Sequence, residues 1–547
     1  MTRHVRGGAF RATGRRDFAL AAALAFSCAF AFAGCGGGDG GDREARGARG
    51  SAAGARPNIV LITIDTFRAD HLHAAGYARE TTPVIDSLAA AGALFTQAIS
   101  QAPETAPSHA SILTGAYPPA HAVRSNGTFA LPEEMTTIAE MLRDAGYQTG
   151  AFVGAFVLDS KFGFAQGFDA YDDSMDAGAA TALHDATAWY GNVIEGGFER
   201  RASSVTDAAL RWLGARTPGP FFMWVHYYDP HAPYDPPKEH DIFPKHDPAA
   251  TYAQWEAMSA EGGAAPIPHR EDGGAGEEGA VQSEVPAERS ELLEDMVALY
   301  DGEIRACDAQ VGRIADALRA RGAASNTLVI VTSDHGESLV ENEYYFRHGW
   351  YLHDNVLRVP LVVSGAGVAN AGAVVHEQVE LIDVFATMAD AAAVEAPLVA
   401  HMSENLRAAI ANAHESGDGT SSAGAASGRG AARAGGRDDL AYSETFLRKQ
   451  LISGPPLFSV RSPAWKYIEP VHEEGRTRRW LYDLAIDPHE GRNLAKEGPE
   501  NAARADSLRG ALRAILAATE NAALADANRV EPDEATIERL RALGYIK

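Results

Sequence analysis

The chain predicts an α/β fold with one large, mainly parallel sheet between helices. Four short runs are almost entirely apolar and rich in β-branched residues, which is typical of parallel strands buried on both faces. Segments with helical periodicity are interspersed among these runs, and strands that alternate with helices favour parallel pairing. The chain has 547 residues, 46% of them hydrophobic, so it can form a large core and a smaller second one.

The predicted elements follow in chain order. The strands are expected at residues 57–64, 221–225, 327–331 and 359–363. The helices are expected at residues 83–91, 135–145, 205–215, 292–321 and 381–391. Active sites of such folds collect at the carboxyl ends of the strands. The polar residues that follow the runs are therefore the first candidates for function: Asp65, His226, Asp229, Asp334 and His335.

Residues 1–35 predict an export signal that takes no part in the fold. An arginine-rich start precedes an apolar run at 18–32, which is too short to span a membrane comfortably. The run ends in Phe-Ala-Gly-Cys, which resembles a bacterial lipobox with Cys35 as the lipidated residue, and Arg15 and Arg16 lie in a stretch that resembles a twin-arginine signal. We expect a lipoprotein of the bacterial cell envelope, periplasmic or on the outer surface, with residues 36–56 as a flexible tether. An ordinary cleaved secretory signal is the alternative.

Composition divides the rest of the chain. Residues 262–288 and 411–438 are rich in small and polar residues, so they predict a disordered insertion and a linker. They leave a catalytic α/β domain at 57–410 and a C-terminal subdomain at 439–547. The net charge of −25 argues against a nucleic-acid partner, because binding the phosphate backbone needs a basic surface. Cys307 is the one cysteine beyond the export segment and is expected to be buried.

Residues 105–115 read Thr-Ala-Pro-Ser-His-Ala-Ser-Ile-Leu-Thr-Gly and predict a helix that starts at Thr105. The unpaired N–H groups of a helix start favour an anion, so a hydroxyl there suits attack on a sulfate or phosphate ester. Ser108 is expected to cap the helix. Asp65, Asp334 and His335 would join the Thr105 hydroxyl around one divalent metal, which would lower the pKa of that hydroxyl.

These segments resemble the sulfatase family of the alkaline phosphatase superfamily. The match extends from the first strand and Asp65 through the Thr105 segment to the Asp334 pair, and it continues near the C-terminus. Further matching segments are Tyr117–His121, His226–Tyr234, Tyr300–Ile304, Thr332–Glu337, His348–Gly349, Asp354–Pro360, Tyr442–Thr445, Leu481–Pro488 and Arg539–Tyr545. The resemblance implies an alkaline-phosphatase-like sandwich with a smaller C-terminal α+β subdomain. It also implies a metal-dependent hydrolase of sulfate or phosphate esters.

The resemblance implies roles for individual residues. Asp65, Asp334, His335 and Thr105 would bind the metal, and Thr105 would also attack the ester. Three histidines would bind the ester oxygens or protonate the leaving group: His121, His231 and His348. Two arginines are candidate anion clamps, with a solvated or ion-paired surface role as the alternative: Arg68 and Arg124. His226 and Asp229, together with His231, are candidates for a second metal site.

The chain departs from the family pattern at four positions. Thr105 stands where sulfatases have the Cys or Ser that becomes formylglycine, so no formylglycine is expected and water must cleave the threonine ester. His109 replaces the signature arginine, and a neutral imidazole there would hydrogen-bond to Thr105. Thr66 replaces a second Asp and weakens the case for calcium, while His335 replaces the common Asn and favours manganese or zinc. Calcium remains an alternative.

Three functions stay open from the sequence. The leading interpretation is a sulfatase-family hydrolase acting on a sulfated or phosphorylated small molecule, glycan or lipid headgroup. Because Thr105 lacks the second hydroxyl of hydrated formylglycine, a phosphodiesterase, a phosphonate-ester hydrolase or a phosphotransferase is the alternative. A non-catalytic envelope protein that binds anions is the third.

Overall fold

The computed structural model describes residues 56–175, 199–244, 251, 287–341, 345–397, 403–415, 440–452, 454–470, 478–519, 530, 532–542 and 545. Ala55–Lys547 form one compact unit. The predicted export signal with Cys35, nearly all of the tether, and most of the insertion and the linker lie outside the described residues. Within the described ranges, no helix is long and apolar enough to cross a membrane.

The strands are β1 (Asn58–Ile64), β2 (Ala93–Ile99), β3 (Gln148–Val153), β4 (Ala170–Asp172), β5 (Phe221–Tyr227), β6 (Thr327–Thr332), β7 (Arg358–Gly365), β8 (Ala373–Val375), β9 (Val379–Glu380), β10 (Ala441–Thr445), β11 (Leu457–Arg461), β12 (Trp465–Pro470) and β13 (Trp480–Asp483). The α-helices are α1 (Pro83–Ala91), α2 (Thr105–Thr114), α3 (Pro118–His121), α4 (Ile138–Asp144), α5 (Ala202–Ala215), α6 (Ala287–Ala320), α7 (Asp354–Leu357), α8 (Asp383–Ala391), α9 (Leu406–Glu415), α10 (Leu447–Ile452), α11 (Gly498–Thr519) and α12 (Glu534–Ala542). Short 3-10 helices lie at Ala69–His71, His73–Ala75, Phe156–Leu158, Ser160–Phe162 and Ala324–Asn326.

The larger sheet has the strand order β4-β3-β5-β1-β6-β7-β2-β8, with β9 beside β2. Strand β1 pairs in parallel with both β5 and β6. Strand β7 is antiparallel to its two neighbours, β6 and β2. The predicted mainly parallel sheet is confirmed, and β2 runs in the same direction as β6.

Each face of this sheet is covered by helices, which explains the continuous apolar runs. Along β1, Ile59 and Leu61 pack into the core that includes α2, α4 and α8. Val60 and Ile62 pack into the opposite core, which includes α1, α5 and α6. Because side chains alternate along a strand, Asp65 projects from β1 toward the face that α2 covers.

The predicted helices are present, and local signals set their ends. Helix α4 begins at Ile138, later than predicted, because Thr137 and Glu140 form a reciprocal capping box there. Helix α9 continues to Glu415, so the first part of the predicted linker is helical. Cys307 is buried, as predicted.

A second, antiparallel sheet has the order β10-β11-β12-β13. Its core contains Tyr442, Val460 and Leu481 and is joined by Leu512 of α11. This small sheet with its helix agrees with the predicted C-terminal α+β part. The exact domain boundary near residue 439 stays a prediction.

Candidate active site

The carboxyl ends of four strands bring the predicted residues to one edge of the larger sheet. Asp65 follows β1, and Asp334 and His335 follow its neighbour β6. Strand β2 ends at the same edge, because it runs parallel to β6, and a short loop leads from it to Thr105. His226 lies near the end of β5, level with Thr63 of β1.

Asp65, Asp334 and His335 form a fully buried group with the spacing of metal ligands. One ligand atom from each lies within 4.8 Å of the other two. His335 Nε2 is 3.8 Å from Asp65 Oδ1 and 3.5 Å from Asp334 Oδ2. We call these three residues the metal triad.

The polar atoms of the metal triad fit a bound cation. Asp65 Oδ1 and Asp334 Oδ2 are buried and have no hydrogen-bond partner, which is costly for carboxylates without a positive charge. His335 Nδ1 donates to the Gly336 carbonyl at 2.9 Å, so the lone pair of Nε2 faces the carboxylates. Burial raises the pKa of Asp65 to about 7, although His335 and Thr105 oppose this rise. A divalent metal therefore fits these donors.

Thr105 is the first residue of α2 and is fully buried beside the metal triad. Its hydroxyl donates to Asp65 Oδ2 at 3.3 Å and lies 3.5 Å from His335 Nε2. Ser108 lies inside α2, where it donates to the Asp334 carbonyl at 2.7 Å, so its prediction as a cap was wrong. The true N-cap is Glu104, because the helix starts four residues earlier than a Ser108 cap requires.

Glu104 and Asn126 support the first turn of α2, and no motif marked either of them in the sequence. Glu104 Oε2 accepts from the Ser125 hydroxyl at 2.5 Å and from Asn126 N at 3.2 Å. Asn126 Oδ1 in turn accepts from Ala106 N at 2.8 Å. Burial raises the pKa of Glu104 to about 7. The main chain next to the Thr105 hydroxyl is thereby held in place.

Tyr545 brings the end of the chain to the same place. It is buried, its side chain lies near Asn126, and it interacts electrostatically with Asp65 and Glu104. Burial and these acidic neighbours raise the pKa of Tyr545 well above its usual value, so the phenol keeps its proton. The sequence marked this segment as a family match without assigning it a role.

His109 contacts Thr105, but through the main chain. Its Nδ1 donates to the Thr105 carbonyl at 2.8 Å, so the hydrogen bond expected between these two residues runs to the main chain of Thr105. The helix explains this contact, because the side chain of His109 lies one turn after Thr105, next to the Thr105 carbonyl. His109 Nε2 lies 3.0 Å from Thr63 Oγ1. Burial lowers the pKa of His109 to about 3, so the imidazole is neutral as predicted.

His226 and Asp229 point to different partners. His226 Nε2 lies 3.5 Å from Asp65 Oδ2, and its Nδ1 lies 3.1 Å from Thr63 Oγ1. Asp229 accepts from Ala202 N at 2.8 Å and lies 3.6 Å from Arg201. Asp229 therefore serves the start of α5, and the metal triad is the one ligand group of this kind among the described residues. The second metal site considered from the sequence finds no support there.

His231 and His348 lie beside the metal triad. The ring centroids of His335 and His348 are 4.4 Å apart, and those of His348 and His231 are 5.0 Å apart. His348 Nδ1 is 3.2 Å from Glu337 Oε1. Burial lowers the pKa of His348 to about 4 and raises that of Glu337 to about 8. Both histidines therefore lie next to the metal triad, and their binding of ester oxygens stays a prediction.

His121 and Arg124 have structural partners in place of the predicted substrate contacts. His121 Nε2 is 2.9 Å from Ser111 Oγ, and its Nδ1 accepts from Val123 N at 3.2 Å, so both ring nitrogens are used. Arg124 forms a two-point ion pair with Glu444, and its second contact measures 2.7 Å. This partner comes from the distant β10, which no local motif could reveal.

Arg68 is also withdrawn from the site. It is buried and pairs with Asp70 at 2.7 Å and with Glu341 at 2.8 Å. Its charge is balanced by these two carboxylates, so Arg68 is ion-paired as in the alternative, but it is buried and does not lie on the surface.

Residues 57–394 match the family model described as Sulfatase. The chain belongs to the sulfatase family. It is similar to an arylsulfatase of Clostridium perfringens (strain 13 / Type A), with 27% identity over 385 residues, which cover 62% of this chain and 76% of that protein.

Two solved structures share the fold of this sulfatase-family protein. One is BT4656 in complex with its substrate D-glucosamine-2-N,6-O-disulfate, with 20% identity, a TM-score of 0.63, and coverage of 86% of this chain and 100% of that chain. The other is the phosphonate monoester hydrolase of Agrobacterium radiobacter, with 24% identity, a TM-score of 0.63, and coverage of 87% and 100%. The predicted alkaline-phosphatase-like fold is confirmed.

Family membership makes this protein a sulfatase-like ester hydrolase. Members of the superfamily use a divalent metal, and the metal triad supplies a group of donors that fits one. The predicted family and enzyme class are confirmed, and a non-catalytic anion-binding protein finds no support in them.

The position next to Asp65 shows how this sulfatase-family protein differs from the family pattern. Thr66 has φ 53, a left-handed conformation that is strained for a β-branched residue, and its buried hydroxyl has no partner. The turn is held by the Tyr300 hydroxyl, which donates to the Thr66 carbonyl at 2.7 Å, and by Ser333, which accepts from Phe67 N at 3.0 Å. The carboxylate that sulfatases usually carry here is replaced by a small side chain.

Proposed function

We propose that this sulfatase-family protein cleaves sulfate or phosphate esters with Thr105 as the nucleophile. The observation that carries the proposal is the position of the Thr105 hydroxyl, 3.3 Å from Asp65 Oδ2 and 3.5 Å from His335 Nε2. A divalent metal held by the metal triad and Thr105 would lower the pKa of the hydroxyl and offset the charge of the ester oxygens.

The chain's own residues account for the proton and the bonds. Thr105 Oγ1 bonds to sulfur or phosphorus while its proton moves to Asp65 Oδ2, and the bond to the alcohol oxygen breaks. The leaving oxygen takes a proton from the His231 and His348 side, where Glu337 holds one near neutral pH because burial raises its pKa to about 8. Water then attacks the sulfur or phosphorus and gives one proton back to the Glu337 side, while the bond to Thr105 Oγ1 breaks and Asp65 returns its proton to Thr105, so the acid is released and both groups are restored. The N–H groups at the start of α2 favour the negative charge at each stage.

The substrate class rests on similarity and on Thr105. BT4656 binds a sulfated sugar, which supports a sulfated small molecule or glycan. The phosphonate monoester hydrolase supports the second candidate, a phosphonate ester or phosphodiester. Thr105 favours the second candidate, because threonine offers no second hydroxyl to expel sulfate and leaves the covalent ester to hydrolysis by water.

Export and anchoring belong to the same proposal. The arginine-rich start, the apolar run and Cys35 support a lipoprotein of the bacterial cell envelope. Membrane fractionation of the full chain and of Cys35→Ser tests this, since the variant should move to the soluble fraction. Equal membrane association of both proteins would contradict lipid attachment at Cys35.

Steady-state hydrolysis by the fragment that begins at Arg56 tests the activity. The fragment is assayed with added divalent metals on aryl sulfate, aryl phosphate, bis-aryl phosphate and aryl phosphonate esters. We expect turnover of at least one ester and a loss of at least about a thousandfold in Thr105→Ala. Thr114→Ala is the matched control, because the Thr114 hydroxyl serves only the Ala110 carbonyl of the same helix, at 2.6 Å. Full turnover in Thr105→Ala would reject the nucleophile.

A further inference from the structure

The Thr63 hydroxyl lies at the centre of a buried cluster and fixes where the protons of its neighbours lie. Trp224 Nε1 donates to Thr63 Oγ1 at 3.1 Å, and two imidazole nitrogens lie at similar distances, His109 Nε2 at 3.0 Å and His226 Nδ1 at 3.1 Å. His109 already uses Nδ1 to donate to the Thr105 carbonyl, so we assign its Nε2 as the acceptor of the one proton of the Thr63 hydroxyl. His226 Nδ1 must then donate to Thr63.

This assignment leaves the lone pair of His226 on Nε2. That atom is fully buried, has no hydrogen-bond partner and lies 3.5 Å from Asp65 Oδ2. A lone pair that faces a buried carboxylate oxygen is repelled unless a positive charge lies between them. Asp65 Oδ1 on the other side of the same carboxylate also lacks a partner.

We propose that His226 Nε2 is a further ligand of the metal at the metal triad and takes the place of the carboxylate that is missing at Thr66. The inference rests on the proposed metal site. Two ligand atoms that each lie about 2.1 Å from one ion are at most about 4.2 Å apart, and the 3.5 Å from His226 Nε2 to Asp65 Oδ2 falls within that limit.

This role of His226 explains together the two departures from the family pattern at Thr66 and His109. At position 109 a neutral imidazole replaces the charged side chain of the family signature, and through Thr63 it fixes the tautomer of His226. At position 66 a carboxylate is lost, and His226 supplies a nitrogen. The resulting donor set has two carboxylates, two imidazoles and the Thr105 hydroxyl. Such a set selects zinc or manganese over calcium, which prefers an all-oxygen site.

X-ray absorption of the zinc-loaded wild-type protein tests the inference without any variant, because imidazole ligands can be counted from their scattering. We expect two imidazoles, from His335 and His226. A spectrum with one imidazole would overturn the proposal. The experiment uses the fragment that begins at Arg56 with zinc alone.

Zinc affinity, measured by competition with a chelator, supplies a second readout. Loss of a group that only supports a metal ligand lowers the metal affinity by about 10–100-fold. Thr63→Val should lower the zinc affinity by an amount in this range, and His226→Ala should lower it by at least as much. His71→Ala is the matched control and should bind zinc like wild type, since His71 is also buried beside a carboxylate, with Nδ1 2.7 Å from Asp301 Oδ1.

The outcomes separate this inference from the proposed function. Unchanged affinity in His226→Ala, with one imidazole in the wild-type spectrum, overturns the role of His226 and leaves the metal triad standing. Failure of the wild-type protein to bind zinc or any other divalent metal overturns both.

Discussion

Burial of Glu104 next to the Thr105 hydroxyl has a measurable effect on stability. Burial raises the pKa of Glu104 from 4.5 to about 7, so its charged form is disfavoured in the fold. Glu104 therefore makes its full contribution to the stability of the fold below about pH 4.5, and this contribution is lost as the pH rises toward 7. The loss is about 3 kcal/mol at most.

Glu104→Gln should therefore raise the melting temperature more at pH 8 than at pH 5, since glutamine has no ionisation cost. Thermal unfolding of both proteins across that range measures the difference. A difference that is the same at every pH would contradict the account of Glu104.

Asp65 gives a second prediction at the scale of the residue. Its negative charge stabilises the fold only when a metal is bound. Burial raises its pKa to about 7, so the ionised carboxylate costs stability in the metal-free fold above that pH. At pH 8, metal-free Asp65→Asn should melt at or above the temperature of metal-free wild type. With metal at about 100 times the dissociation constant, wild type should gain about 2.7 kcal/mol and the variant little. Equal stabilisation of both proteins by metal would contradict the ligand role of Asp65.

The residues of the metal triad could be predicted, but Thr63 and Asn126 near it could not. Asp65, Asp334 and His335 directly follow strands that the apolar pattern marks, so the fold class alone brings them to one edge. Thr63 and Asn126 act through hydrogen bonds to parts of the chain that are far away in sequence, and their own neighbours in sequence carry no sign of these bonds.

At the scale of the element, a buried ion-pair cluster joins helix α7 to the second sheet. Asp354 at the start of α7 contacts Arg461 of β11 and Lys466 of β12, each at 2.8 Å. Asp354→Ala leaves these buried cations without one of their carboxylates, so it should lower the free energy of unfolding by about 3–5 kcal/mol.

Denaturant unfolding measures this loss. Asp207→Ala is the control, because the Asp207 pair with Arg313 is exposed and should cost less than about 1 kcal/mol. Similar losses in both variants would show that the cluster contributes no more than a surface ion pair.

Strand direction shows the limit of prediction for elements. Strand β7 was found from its apolar run, yet it is the antiparallel member between β6 and β2. A strand that is buried on both faces has the same apolar pattern in either direction, so its sequence carries no signal for orientation. Helix α1 was predicted with both its ends, because Pro83 at its start and Gly92 after it are local signals.

At the scale of the whole molecule, the end of the chain closes onto the start of α2. Tyr545 is buried in the same core as Ala106 and Ala110, and Leu540 of α12 packs against Gly127. Tyr545→Ala should lower the free energy of unfolding by about 3 kcal/mol or more through the cavity it creates. It should also lower kcat, because Asn126 would lose a packing neighbour next to the nucleophile.

Tyr545→Phe is the matched variant, since it keeps the ring and removes only the hydroxyl. Its stability should stay within about 1.5 kcal/mol of wild type. Equal losses of kcat in both variants would assign the effect to the hydroxyl and contradict a packing role. The sequence could not predict this contact, because it joins residues that lie far apart along the chain.

The central claim is that the hydroxyl of Thr105 forms the covalent bond to the substrate. The most direct measurement is peptide mapping by mass spectrometry after acid quench during turnover of the best aryl ester. We predict a phosphoryl, phosphonyl or sulfuryl group on Thr105 in wild type and none in Thr105→Ala. An adduct on another residue, or undiminished turnover by Thr105→Ala, would contradict the account.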